Sequence, residues 1–198
     1  NMDSQTIRAF FDERAAGWDA SCHHDPHRLA AVAALAQIAP GSRVLDIACG
    51  TGVLIPQLLQ YGPREVLGVD FSPEMIREAQ KKFSDPRVRL EAMDLFDCKE
   101  SGFDIATLYS AYPHFPDKER LAEKIFSLLR PGGRFLLAHS ESRATINSRH
   151  HSGAAAVSVP LRPVKEEASV WSRWFTLDIL ADTESFYLLS GKKRSDRA

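Results

Sequence analysis

The stretch Val44-Leu45-Asp46-Ile47-Ala48-Cys49-Gly50-Thr51-Gly52 constrains the fold of this chain more than any other. A short aliphatic and β-branched run ends abruptly in small residues, which is how a buried parallel strand hands the chain to a tight loop. Open α/β sheets bind ligands outside the carboxyl ends of their strands. A loop without Cβ atoms at Gly50 and Gly52 lets backbone N–H groups approach such a ligand. Further on, Glu65-Val66-Leu67-Gly68-Val69-Asp70 is a second apolar run, and it ends in a carboxylate suited to a ribose diol. Together the two strand ends meet the needs of a nucleoside cofactor.

Two nucleoside cofactors compete for such a loop. The nicotinamide dinucleotide fingerprint requires a third small residue where the helix begins, so that a pyrophosphate can sit on the helix N-terminus. Counting from Gly50, that position is Ile55, followed by Pro56, and the fit is poor. The loop instead resembles motif I of the class I S-adenosylmethionine-dependent methyltransferases, an acidic strand end followed by alternating small residues, here Asp46, Ala48, Gly50 and Gly52. Ala48 stands where that family usually has glycine and adds one methyl group near the methionine end of the cofactor. The segment Phe10 to Asp19 looks like the N-terminal lid of the small-molecule methyltransferases of the ubiquinone and menaquinone type. Leu128-Leu129-Arg130-Pro131-Gly132-Gly133-Arg134 resembles the family's turn into its fifth strand. The resemblance thus runs from Phe10 to His139.

The order of elements agrees with that reading. Ser4 can cap a helix with apolar positions Ile7, Phe10, Phe11 and Ala15, closed near Gly17-Trp18-Asp19. Asp25-Pro26 starts an amphipathic helix from Leu29 to Ile38, and Val53 to Leu59 is helical, with Pro56 tolerated in its first turn. Ser72-Pro73-Glu74 opens a helix to Phe83. Strands follow at Val88–Ala92 and Phe103–Tyr109, then a helix capped by Asp117 that runs to Arg130, and a fifth strand from Arg134 to His139. Gly153 to Val159 reads as a mobile loop and Pro163 to Trp171 as a helix. Phe175–Leu180 and Ser185–Ser190 form a closing antiparallel pair, and Lys192 to Ala198 a charged, frayed tail. The expected fold is α/β, a Rossmann-like, seven-stranded, mostly parallel sheet with an antiparallel C-terminal edge hairpin and helices on both faces. One domain, 1–198, accounts for the chain: a lid and first helix at about 4–38, a cofactor-binding core at 43–140, and a substrate-side loop and hairpin at 141–198.

Composition narrows the partners. A formal net charge of −1 over 198 residues, 44% of them hydrophobic, gives no basic face for nucleic acid, and no apolar run reaches membrane-spanning length. The polar N-terminal segment lacks the features of a signal peptide, and Cys22, Cys49 and Cys98 are odd in number without metal-knuckle spacing. A cytoplasmic protein with reduced thiols is expected, acting as a monomer or homodimer on a small-molecule acceptor.

By the resemblance, S-adenosylmethionine, with S-adenosylhomocysteine as its product, is held by Trp18, Asp46, Ala48, Cys49, Gly50, Thr51, Gly52, Asp70, Phe71, Met75, Met93, Asp94, Leu95 and Tyr109. Asp70 would take the ribose hydroxyls and Asp94 the adenine amino group. Methyl transfer from a sulfonium is an in-line displacement that needs no covalent enzyme nucleophile, and where the acceptor must lose a proton, histidine is the natural base. All seven histidines precede the Gly loop or follow the fourth and fifth strands. His114, His139 and His150 are therefore the candidate catalytic residues, His150 on condition that a short helix from Ser142 to Arg149 brings it back over the mouth. Tyr112, Phe115, Arg143 and Asn147 are candidates for the acceptor pocket. Three alternatives stand beside this reading. The histidines can be ordinary loop residues. They can hold a metal, with Cys22 or His23 added. The domain can also bind the cofactor without catalysis, as a sensor or scaffold, and an NAD-dependent oxidoreductase is the more distant possibility.

Overall fold

In a computed structural model, which describes residues 2–197, fifteen regular elements alternate along the chain. Asp3, and not Ser4, caps the first helix, α1 (Ser4–Arg14), its carboxylate accepting from the Thr6 N–H. A 3₁₀ turn at Ala15–Gly17 then leads to one further helical turn, α2 (Trp18–Ser21). Asp25 caps α3 (Pro26–Leu35), with Pro26 at a first-turn position where its missing N–H costs nothing. The core follows as β1 (Arg43–Ile47), α4 (Ile55–Leu59), β2 (Glu65–Asp70), α5 (Pro73–Gln80), β3 (Val88–Ala92) and β4 (Phe103–Tyr109). It continues with α6 (Lys118–Leu128), β5 (Leu129–His139), α7 (Arg143–Gly153), α8 (Val164–Trp171), β6 (Phe175–Asp182) and β7 (Tyr187–Lys193).

The strands form one seven-stranded sheet in the order β3-β2-β1-β4-β5-β7-β6. β1 to β5 are parallel, and β7 pairs antiparallel with both β5 and β6. Strand residues alternate between the two faces. Leu45, Leu67, Ala106, Phe135 and Leu189 face the layer of α6 and α8, while Val44, Val66, Ile105, Leu136 and Leu188 face α3 and α4. Burial on both faces is why these strands read as continuous apolar runs. The strand order reverses between β1 and β4, so the carboxyl ends of β1, β2, β4 and β5 open along one edge of the sheet at the switch point.

Several sequence expectations are corrected here. The Gly loop extends through tight turns to Leu54, so α4 begins at Ile55 and not Val53, and α5 stops at Gln80 rather than Phe83. Pro131-Gly132-Gly133 does not precede the fifth strand but lies inside it. Leu129 pairs with Phe103 and Arg134 with Ile105, and the residues between bulge out of the ladder. Gly153–Val159 is anchored: Val157 is buried and the Val159 N–H donates to the Pro113 carbonyl. In the tail, Lys192 and Lys193 belong to β7 and Arg194 is bonded to Asp196, whereas Ala198 lies outside the described residues.

Candidate active site

Three residues at the end of β1 turn the backbone into the left-handed region: Ala48 (φ 52°), Gly50 (φ 55°) and Gly52 (φ 87°). At Gly52 a Cβ would come within 2.5 Å of the Phe83 ring, so glycine is required there for close packing. Around Gly50 nothing lies within 4 Å of a Cβ position, which leaves its backbone open to the cavity. The Asp70 carboxylate anchors the loop from the neighbouring strand. Oδ2 accepts from the Gly50 N–H at 2.8 Å and Oδ1 from the Ser72 N–H at 2.9 Å. Burial raises the pKa of Asp70 to about 6, with the two N–H donors opposing the rise. Asp94 caps the 3₁₀ turn Leu95–Asp97 with Oδ1, which accepts from the Phe96 N–H at 3.0 Å.

A single cavity of about 520 Å³ begins at this loop. Ala48, Cys49, Gly50, Thr51, Asp70, Phe71, Met75, Met93, Asp94 and Leu95 line one end. The N-terminal helices cover it, with Phe11 and Trp18 among its walls and their rings edge-to-face at 5.6 Å. Polar pairs hold this cover down. The Ser72 hydroxyl donates to Asp12, the Thr51 hydroxyl to Asp19 at 2.5 Å, and Lys82 pairs with Asp19 at 2.8 Å.

The other end of the cavity is a cluster of imidazoles. His114, in a 3₁₀ turn after β4, and His150, in α7, meet edge-to-face at 5.1 Å, and Phe11 packs on His114 at 4.9 Å. His114 Nδ1 lies 2.7 Å from the Val157 carbonyl and His150 Nδ1 2.9 Å from that of Ile146. His139 ends β5, is 2% exposed, and its Nε2 is the buried side-chain polar atom without a partner among the described residues. Burial lowers all three pKa values, that of His114 to about 4 and that of His139 to about 3. The condition on His150 is met, because Ser142 caps α7 through the Thr145 N–H and the helix carries His150 to the cavity wall.

Part of this chain is similar to known proteins. Residues 44–133 match the family model of the methyltransferase domain. The demethylmenaquinone methyltransferase of Lactiplantibacillus plantarum is 35% identical over 109 residues, covering 50% of this chain and 45% of that protein. Residues 44–133 are thus similar to the methyltransferase domain family, a match that takes in a little under half of the chain. The chain spans about half the length of the curated relatives it matches. Among solved structures, a chain of the complex formed with the Trm112 methyltransferase activator of Haloferax volcanii has a TM-score of 0.77 at 20% identity, covering 92% of this chain and 97% of its own. DhpI, solved with S-adenosylhomocysteine, has a TM-score of 0.73 at 23% identity and is covered to 98% in both chains.

Not every residue singled out in the sequence reaches the cavity. Asp46 is 2% exposed and buried beneath it, accepting from the Thr107 hydroxyl at 2.7 Å, and burial raises its pKa to about 7. Gly52 sits under Phe83 rather than at the wall. Tyr112 is core: its hydroxyl donates to buried Glu167 and accepts from Trp171 Nε1 at 3.1 Å. Arg143 turns to Asp182 at 3.1 Å, and Asn147 is consumed by both backbone groups of Leu161. Phe115 and Tyr109 do line the cavity. Among the described residues, no group of three or more His, Cys, Asp or Glu side chains is arranged to hold a metal ion, so the metal alternative has no ligand set.

The cavity also includes residues that were not candidates in the sequence. His24 Nδ1 and the Ser140 hydroxyl both bond the Tyr109 hydroxyl, at 2.7 and 2.6 Å. His24 lies in the segment Cys22-His23-His24-Asp25-Pro26-His27, whose density of polar and ligand-type side chains is a usable signal, but nothing in Ser140 marked it. Ser110 adopts φ 59° at the end of β4, a strained setting for a residue with a side chain, and it too lines the cavity.

Proposed function

We propose that this domain transfers the methyl group of S-adenosylmethionine to a small-molecule acceptor held among the histidines. The observation that carries the reading is the continuity of one cavity from the Gly loop to the imidazole cluster. The relatives' names and the S-adenosylhomocysteine in a structural neighbour support the choice of cofactor.

The residues suit that cofactor. The open space at Gly50 admits a methionine moiety against the backbone. Each Asp70 oxygen accepts one backbone N–H and keeps acceptor capacity for a ribose hydroxyl, and Asp94 Oδ2 is free for an adenine amino group. Met75, Met93 and Phe71 supply apolar walls. When bound, S-adenosylmethionine supplies an electrophilic methyl carbon on a sulfonium sulfur. The protein then contributes alignment, a dry site under Phe11 and Trp18, and a neutral imidazole to receive a proton. We also place the protein in the cytoplasm. Its three thiols are unpaired, and among the described residues no helix is long and apolar enough to cross a membrane.

Calorimetry with S-adenosylmethionine and with NAD, followed by measurement of S-adenosylhomocysteine release with candidate acceptors, tests the reading. We expect binding of the first alone and acceptor-dependent release. Tight NAD binding would overturn the cofactor, and cofactor binding without release on any acceptor would favour a sensor.

A further inference from the structure

We propose that the acceptor is an uncharged molecule presenting a weakly acidic O–H or S–H group, bound as a hydrogen-bond donor to the Nε2 lone pairs of His114 and His150. This rests on the methyl-transfer reading and adds the class of molecule that fills the far end of the cavity.

A backbone carbonyl can only accept, so the Nδ1 atoms that bond Val157 and Ile146 must carry the ring protons. A neutral imidazole protonated at Nδ1 has its lone pair at Nε2. No protein hydrogen bond is made by Nε2 of His114 or His150 among the described residues, and both rings line the cavity. The unpartnered Nε2 of His139 lies in the same wall. Phe11, Phe115 and Ile146 fill the space around them.

Of the charged side chains that line the cavity, Asp117 accepts from the Arg120 N–H at 3.0 Å and the Arg120 guanidinium lies over the Phe96 ring, 3.9 Å from its centroid. Arg149 is paired with Glu141 at 2.5 Å, and the Lys118 ammonium donates to the Tyr112 carbonyl behind the wall. A ligand therefore meets acceptors in an apolar setting. A carboxylate or phosphate would face lone pairs and lose its hydration uncompensated. An ammonium group could donate but has no electron pair to attack a methyl carbon. A neutral O–H or S–H does both, giving its hydrogen to an imidazole and keeping a lone pair for the reaction.

The step balances. The acceptor oxygen or sulfur forms a bond to the methyl carbon as the carbon–sulfur bond of the donor breaks and its electron pair remains on the donor sulfur. The acceptor's proton passes to an Nε2 lone pair, and the positive charge leaves the reacting centre as imidazolium. Since burial makes these imidazoles weak bases, the proton moves as the methyl group arrives, when the alkylated atom has become strongly acidic.

The test is calorimetry on protein saturated with S-adenosylhomocysteine, titrated with 4-ethylphenol, benzyl mercaptan, benzoate and benzylammonium. We expect the phenol or the thiol to bind at least about tenfold more tightly than either ion, and His150→Phe to erase that advantage with S-adenosylhomocysteine affinity unchanged. The phenol and thiol arms distinguish oxygen from sulfur. An ion binding as tightly, no binding by any of the four, or indifference to His150→Phe would overturn the proposal. Failure to bind S-adenosylhomocysteine would instead overturn the reading beneath it. If His150→Phe does not fold, nitrogen NMR of histidine-labelled wild type decides: His114 and His150 must be protonated at Nδ1 and respond at Nε2 to the neutral ligand, and protonation at Nε2 would sink the idea.

Discussion

The two ends of the cavity are built in different ways. The Gly-loop end, where we propose that the cofactor binds, is made by contiguous segments at strand ends, where glycine conformations and backbone N–H groups do the work and Asp70 ties two loops together. The histidine end is made by side chains from β5, the turn after β4, and α7, each oriented by a backbone carbonyl or by burial. A backbone-built end constrains few residue types and suits a ligand common to many proteins. A side-chain-built end can be rewritten residue by residue, and it is where specificity can vary on one fold.

The largest expected effect tests whether the ends are separable. Replacing His114 by Ala should lower turnover about 10²–10⁴-fold, the usual contribution of a general base, while leaving S-adenosylmethionine affinity unchanged by calorimetry. Loss of cofactor binding in that variant would mean that the ends form one unit.

The reciprocal change lies at Asp70. Asp70→Ala removes an acceptor for the cofactor and frees the Gly50 and Ser72 N–H groups, so affinity should fall by about 1.5–3 kcal/mol, the range for a hydrogen bond to a charged group. Titration calorimetry giving unaltered affinity would remove Asp70 from the site.

These contrasts explain how much was legible in advance. The sheet, the Gly loop and Asp70 were readable because buried parallel strands leave apolar runs and the left-handed turns require small residues. Asp46 was readable as a strand end but not as a buried group, since only the sheet shows that its partner is Thr107. Tyr112, Arg143 and Asn147 looked like mouth residues by their place in the chain. Whether a side chain at a strand end points into the cavity or under it depends on tertiary packing: Trp171 and Glu167 claim Tyr112, Asp182 claims Arg143 and Leu161 claims Asn147. The helical return of His150 was readable because Ser142 is a competent cap.

The histidine end should also show its burial in solution. Depressed pKa values keep these rings neutral above their folded-state pKa, so kcat/KM should show no inflection near pH 6.5 and should decline only as pH approaches about 4. The linked stability has the same sign. It is fully present above the unfolded value near 6.5 and is lost as pH falls toward about 4 for His114 and about 3 for His139. Asp70 and Asp46 act in the opposite direction, their contribution being present below the unfolded value of 3.8 and lost as pH rises through about 6 and about 7. A rate falling about tenfold for each unit below pH 6.5 would show exposed imidazoles instead.

The smallest effect concerns the cover shared by both ends. Asp19 accepts from the Thr51 hydroxyl in the Gly loop and pairs with Lys82 beyond α5, so it fastens the N-terminal segment to the cofactor end. Both members of the ion pair are more than a third exposed, which limits its worth to about 0–1 kcal/mol. Phe11 and Trp18 would still close the cavity by apolar contact, so Asp19→Ala should loosen the cover without removing it. The dissociation rate of S-adenosylhomocysteine should rise by no more than about fivefold, and added salt should shrink the difference as it screens the Lys82 pair in the wild type. Stopped-flow tryptophan fluorescence measures both quantities. A change far above that range would make the polar latch, and not the aromatic cover, the main closure. No change at any salt concentration would leave Phe11 and Trp18 as sufficient by themselves.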